Sequence, residues 1–269
     1  REIADAFLTN KEVIYKRINR AKEKLKAENI KIQQPTILEI NDRLEPVLTT
    51  LYLLFSEGYY SSSQNTILRK DLCAEAMRLV HLLMENKATN KPSVNALFSL
   101  MSFHSSRFDA RTNEKGEIVL YDDQDETKWN QELIIQGTYF LNQASTGDRI
   151  TRYHLEAGIA YWHTQKEDTD EKWDNILQLY NSLLILEYSP IAALNRTFAL
   201  AKVHGKEKAI QEAEKLNLKD NHFYFSLLGH LYTDFDNQTA LAHFNTAFKL
   251  AKLETDRKTI TENIKKLVY

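Results

Sequence analysis

The chain predicts an all-α protein, a short helix-turn-helix followed by a long array of stacked helix pairs. Three observations carry that expectation. Its 269 residues hold seven Gly and four Pro, too little punctuation for many strands and tight turns. Apolar residues recur every three or four positions from Ile14 almost to the end, the period of helices with one buried face. Near the C-terminus, two such segments place small residues where aromatic ones on the neighbouring helix must fit.

The first element is a short helix over Glu2–Leu8, turned by Thr9-Asn10 into a longer basic helix over Lys11–Leu25. In the second helix Ile14, Ile18, Ala21 and Leu25 form one apolar stripe. The opposite face presents Glu12, Lys16, Asn19 and Glu23, flanked by Tyr15, Arg17, Arg20 and Lys22. This division suits a recognition helix, with one face packed on its partner and the other free for the major groove. Glu12, Lys16 and Asn19 are the candidate base readers. Arg17, Arg20 and Lys22 are the candidate phosphate contacts, with Tyr15 beside them. Charge supports the same reading: residues 1–28 carry eight Lys/Arg against five Asp/Glu, on a chain whose net charge is −2. A basic head on a mildly acidic body lets one end approach phosphate while the rest avoids it.

Pro35, within Ile32-Gln-Gln-Pro-Thr36, breaks the pattern and marks a linker over residues 32–40. The body from 41 to 269 then reads as helix after helix. Leu68, Leu72, Ala76, Leu79 and Leu83 make one stripe, and Leu97, Leu100, Met101, His104 and Phe108 another. Later helices are expected around 126–145, 150–166, 172–187, 190–204, 206–217, 222–235, 238–252 and 256–267. Between them Asn113 to Tyr121, followed by Asp122-Asp123-Gln124-Asp125, predicts a non-helical loop or short hairpin near 112–125. The last pair is the most legible: Phe225, Leu228, Gly229 and Tyr232, then Ala240, Phe244 and Ala247, follow a tetratricopeptide spacing with one residue deleted at the turn.

His104, Arg107 and Arg111 lie on one ridge that extends a buried stripe, just upstream of the acidic loop. A network pairing Arg107 and Arg111 with Asp122, Asp123 or Asp125 is the expectation. Tyr59, Tyr121, Trp129, Tyr161 and Trp162 are expected mostly as packing between repeats, with a ligand groove the lesser reading. His154 and His163, nine residues apart, fall on opposite faces of one helix. With one Cys and no metal-ligand spacing, no metal site is predicted. No nucleophile elbow, phosphate-binding Gly loop or dinucleotide fingerprint is present, so neither catalysis nor a cofactor is predicted. A single Cys73 suits a reducing cytoplasm, and no apolar run approaches the ~20 residues of a membrane span.

Ile3-Ala-Asp-Ala-Phe-Leu8 and Val13-Ile-Tyr-Lys-Arg-Ile-Asn-Arg-Ala-Lys22 resemble region 4 of bacterial extracytoplasmic-function sigma factors, the segment that reads the promoter −35 element. Leu51 to Tyr59, Arg69 to Leu79, His104 to Arg111 and Asp123-Gln124-Asp125 are similar to one subgroup. So are Tyr153-His-Leu155, Leu179-Tyr180 and Ser189-Pro190 through Arg196. That subgroup carries a C-terminal tetratricopeptide-like extension, and the resemblance runs from about Ile3 to about residue 253. It implies a partial region 4 over 1–31, promoter DNA and core RNA polymerase as partners, and regulation of initiation by the extension. It also implies that the sigma region gripping polymerase is missing from this chain. The shared motifs point to Glu57, Arg69, Asp71, His104, Arg107, Arg111, Asp123 and Asp125 as a regulatory or structural polar network. The subgroup usually follows Asp-Gln-Asp with Arg, where this chain has Glu126. The alternative reading is a protein- or peptide-binding scaffold without DNA binding of its own. A third is a ligand sensor or enzyme built around His104, Arg111 and Asp125.

Overall fold

The computed structural model describes residues 11–28, 35–60, 68–111, 119 and 121–268. Among them the chain forms twelve α-helices and no strand. They are α1 (Lys11–Ala27), α2 (Ile37–Tyr60), α3 (Lys70–Glu85), α4 (Pro92–Ser106), α5 (Gln131–Ala144) and α6 (Arg152–Trp162). There follow α7 (Asp170–Leu186), α8 (Pro190–His204), α9 (Lys206–Leu216), α10 (His222–Tyr232), α11 (Asn237–Leu250) and α12 (Glu254–Val268). Successive helices from α2 onward pack on one another, which makes the body an all-α array of stacked pairs. The short helix and turn expected over residues 2–10 lie outside the described residues.

Helix α1 follows its expected boundary closely, and Ile14 is buried with Ile18 half-buried. The second half of its stripe departs from expectation. Ala21 is exposed and Leu25 is 58% exposed, because no described helix packs along the last turns of α1. Helix α2 begins inside the stretch expected as linker. Thr36 and Glu39 form a reciprocal cap, the Thr36 N–H donating to Glu39 Oε2 at 2.8 Å and the Glu39 N–H to Thr36 Oγ1 at 3.3 Å. That pair starts the helix at Ile37, two residues after Pro35.

Leu48, Leu51, Phe55 and Tyr59 form the buried face of α2. On α3 Ala76 of the expected stripe is buried, joined at the centre by Cys73 and Val80, while Leu72, Leu79 and Leu83 sit half-buried at the flanks. Close approach explains the rotation. A Cβ at Gly58 would stand 2.7 Å from Cys73 Sγ and 2.8 Å from the Arg69 carbonyl oxygen, so small residues face each other where α2 meets α3. Helix α4 is the hub. It packs against α2, α3, α5 and α6, and all but three of its fifteen residues are buried. Serines satisfy its polar positions: Ser99 donates to the Gly137 carbonyl on α5 at 2.7 Å, and Ser102 to the Phe98 carbonyl at 2.9 Å.

Past α6 the array becomes regular, and five helices from α5 onward have a capped start. Asn130, Thr169, Ser189, Asn221 and Asp236 cap α5, α7, α8, α10 and α11 with side-chain oxygens. His154 joins in similarly: its Nδ1 accepts from the Thr151 N–H at 3.1 Å and its Nε2 meets the Ala144 carbonyl at 3.3 Å. The loop expected near 112–125 is described only at 119 and from 121 onward. There it makes two 3-10 turns, Tyr121–Asp123 and Glu126–Lys128.

The legible last pair packs as its spacing implies, with Ala240, Phe244 and Ala247 at most 1% exposed. A Cβ at Gly229 would meet the Phe244 ring at 2.7 Å, so α10 and α11 can approach only over a glycine. Gly229→Val should therefore destabilise the protein by about 2 kcal/mol or more through overpacking. Phe244→Leu in the same chain should restore some of that loss. Urea unfolding of the single and double variants checks both.

Candidate functional site

Two regions gather the residues singled out by the sequence. The first is the free face of α1. Glu12, Tyr15, Lys16, Arg17, Asn19, Arg20 and Lys22 are all exposed, whereas Ile14 on the opposite side is buried. Tyr15 is 63% exposed, so its ring is available as a contact rather than as packing. Glu12 lies in the first turn and Lys24 and Lys26 in the last, the arrangement the helix dipole favours.

The second region is an aromatic and basic node at the C-terminal end of α4. Arg107 is 8% exposed and lies over the ring of Tyr121, 5.4 Å from its centroid. Lys166 and Lys172 approach the same ring at 5.3 and 5.2 Å. Lys166 Nζ also donates to the carbonyls of Tyr121 at 3.0 Å and Gln124 at 3.1 Å. Lys172, 1% exposed, donates to the Gln165 carbonyl at 2.7 Å and the Tyr121 hydroxyl at 3.2 Å. Carbonyl oxygens and ring faces thus offset the cost of burying this ammonium. The Asn130 N–H donates to the Ser106 carbonyl at 2.8 Å, and Trp129 is buried beside Tyr121. Together these contacts clamp the segment from Tyr121 to Asn130 onto α4, the end of α6 and the start of α7.

Among the described side chains, the two arginines stack on aromatic rings. Arg111 sits 3.8 Å from the centroid of the Tyr59 ring, and that ring lies 4.6 Å from His104. Planar, weakly hydrated guanidinium groups suit such stacking. Asp125 caps its own turn instead. Its carboxylate accepts from the Thr127 N–H at 3.0 Å and hydroxyl at 2.7 Å, which holds its pKa below the usual carboxylate range. Asp123 is exposed, and among the described side chains no ion pair joins Arg107 to either aspartate. The Asp122 side chain lies outside those described. Arg69 and Asp71 pair with each other at 2.7 Å at the surface, with half-buried Glu57 in electrostatic reach of Arg69.

Of the sequence-predicted network, then, His104, Arg107 and Arg111 converge, while Asp123 and Asp125 stand apart from Arg107. The sequence does not point to Lys166, Lys172 or His163 as members of the node. A lysine in a helix's first turn reads as solvated, and no spacing in one sequence marks it as buried. The aromatic expectation fits the structure: Tyr59 and Trp129 are packed inside, and Tyr161 lies 5.8 Å from the buried ring of Phe103.

Burial and the neighbouring Arg107 push the pKa of His104 and His163 down, that of His163 to about 3 with Lys172 contributing. Both rings are neutral at pH 7. An unfolded chain protonates them near pH 6.5 while the folded one does not, so stability is full above that pH and falls below it. The loss should approach about 1.4 kcal/mol per pH unit for each histidine between pH 6.5 and 5. His163→Gln should make the fall shallower, as checked by urea unfolding at pH 7 and pH 5.

With this geometry in place, comparison with known proteins adds three findings. Residues 43–145 match a family of unknown function, DUF6596, a span that includes α4 and the Tyr121 segment but ends before Lys166 and Lys172. No solved structure matches the chain. An uncharacterized protein of Rhizobium meliloti (strain 1021) is similar, 33% identical over an aligned length of 255; the match covers 90% of this chain and 60% of that relative's length.

Proposed function

We propose that the chain is the C-terminal portion of an extracytoplasmic-function-type sigma factor, in which α1 contacts promoter −35 DNA and the helical array governs that activity. The observation that carries the reading is the division of α1. Seven candidate contact residues are exposed on a helix whose Ile14 is buried, and the helix is joined to the body through a short connection. Cations on an exposed helical face supply the non-specific component of DNA affinity, and Lys16 and Asn19 near its first turns supply sequence choice. The resemblance across the ordered motifs of the body supports promoter DNA and core RNA polymerase as the partners. The Tyr121 clamp gives the array a rigid front, from which it acts on the DNA-reading helix or on polymerase.

A second reading, a protein-binding scaffold, draws on one observation. Ile185, Leu186 and Tyr188, 88%, 52% and 63% exposed, gather where α7 turns into α8. The Arg152–Glu187 ion pair at 3.0 Å brings the start of α6, and with it exposed Ile150, beside them.

DNA binding separates the two readings. With short −35-type duplexes, Lys16→Ala or Asn19→Ala should change sequence preference by about 1–3 kcal/mol at one base position. Arg20→Ala should weaken binding to all sequences and lower the salt slope by about 1. Fluorescence anisotropy over a salt series measures both. Indifference to all three substitutions would leave the scaffold reading in place.

A further inference from the structure

Away from α1, and sharing only His163 with the Tyr121 node, a cavity of about 160 Å³ opens between the end of α6 and the α7–α8 pair. It is lined by His163, Trp173, Ile176, Tyr180, Asn195 and Phe198. Four of these six are rings, and their arrangement is specific. Trp173 meets Phe198 edge-on at 5.6 Å and His163 edge-on at 6.1 Å. Trp173, Ile176 and Tyr180 are buried and form the floor, whereas Asn195 and Phe198 are exposed and form the mouth. A cavity of about 150 Å³ with apolar walls is enough to hold one benzene ring. The size and the walls here therefore suit a single ring inserted edge to face.

The charges around the cavity narrow the choice. Lys202, one turn beyond Phe198, places its ammonium 5.1 Å from the Trp173 ring centroid and 5.9 Å from that of Phe198. It is held there by Asp168 at 2.7 Å, and Asp168 also accepts from Trp173 Nε1. The resident cation already uses the aromatic faces that would otherwise attract a cationic ligand. Behind the opposite wall, Arg107 and Lys172 lie close enough to act on His163. At the Tyr180 side the nearby carboxylate is Glu156, which Arg152 pairs at 3.3 Å. A ligand anion at the mouth could share Lys202 with Asp168, whereas a ligand cation would meet a site already occupied.

We infer that this cavity is a binding site for a small molecule carrying one aromatic ring and a carboxylate, the ring on Trp173 and Phe198 and the carboxylate toward Lys202. Nothing in the DNA-reading proposal is needed for this site, so either can fail without the other.

Three probes of similar size test it on the whole chain: benzoate, benzyl alcohol and benzylamine, followed through the Trp173 indole N–H signal by NMR. Benzoate should shift that signal saturably with a Kd of about a millimolar or below, in the range open to so small a ligand. Benzyl alcohol should bind about fivefold more weakly or worse, and benzylamine should not saturate. Phe198→Ala, at a residue 40% exposed, should weaken benzoate by about tenfold. Lys202→Gln should remove most of the preference for benzoate over benzyl alcohol. The inference is overturned if no probe shifts the signal, if benzylamine binds as well as benzoate, or if both variants bind benzoate like the native chain.

Discussion

Helix α4 has almost no solvent face, and much of the architecture follows from that constraint. A helix buried nearly all round must find neighbours on every side, and α2, α3, α5 and α6 supply them. Its polar residues must then be satisfied inside, which Ser99 and Ser102 achieve through backbone carbonyls. Its C-terminal end cannot simply fray into water. There His104 and Arg107 continue the buried column into the clamp on Tyr121, and the Ser106 carbonyl accepts the hydrogen bond that fixes the next segment. The irregular stretch between α4 and α5 is therefore anchored by the most deeply set helix of the body. Its ties are to α6 and α7 as well as to α4, so the front of the array and its regular rear share one joint.

At that joint, cations gather on an aromatic ring and on backbone carbonyls. Arg107, Lys166 and Lys172 surround an aromatic ring, the two lysines donate to carbonyls, and the nearby histidines stay neutral. Cation–π contacts and carbonyl acceptors inside a packed region are screened less by salt than surface ion pairs. Such a joint keeps its geometry while an exposed basic helix elsewhere in the chain responds to ionic strength. This separation fits a protein in which one face meets phosphate and the body stays rigid behind it. The Arg152 centre repeats the pattern further along the array, bridging Glu156 and Glu187 while lying over Tyr52.

Much of the fold is legible in the sequence, because long amphipathic helices announce themselves through periodicity. The eight helices from α5 onward fall within the expected ranges or overlap most of each, and Gly229 against Phe244 is as the repeat spacing implies. On α3 Ala76 is buried as the stripe implies, but Cys73 and Val80 take the centre beside it while Leu72, Leu79 and Leu83 stay half-buried. Interhelical distance, set here by Gly58, is a pairwise property that no single segment displays. The site is half legible. His104, Arg107 and Arg111 stand out because they extend a buried stripe. Their partners do not, since Tyr121, Lys166 and Lys172 come from three separate stretches of chain and only the fold unites them. Asp125 looks like a counter-ion and is a cap for Thr127, a role fixed by local backbone geometry.

We propose that a promoter-reading helix is governed by the array attached to it. Run-off transcription with core polymerase tests it, using a longer protein that includes the polymerase-gripping region and comparing the array intact with a truncation after residue 34. Removing the array should change transcript yield several-fold at the same promoter, upward if the array restrains initiation and downward if it is required. Equal yield from the two proteins would contradict it.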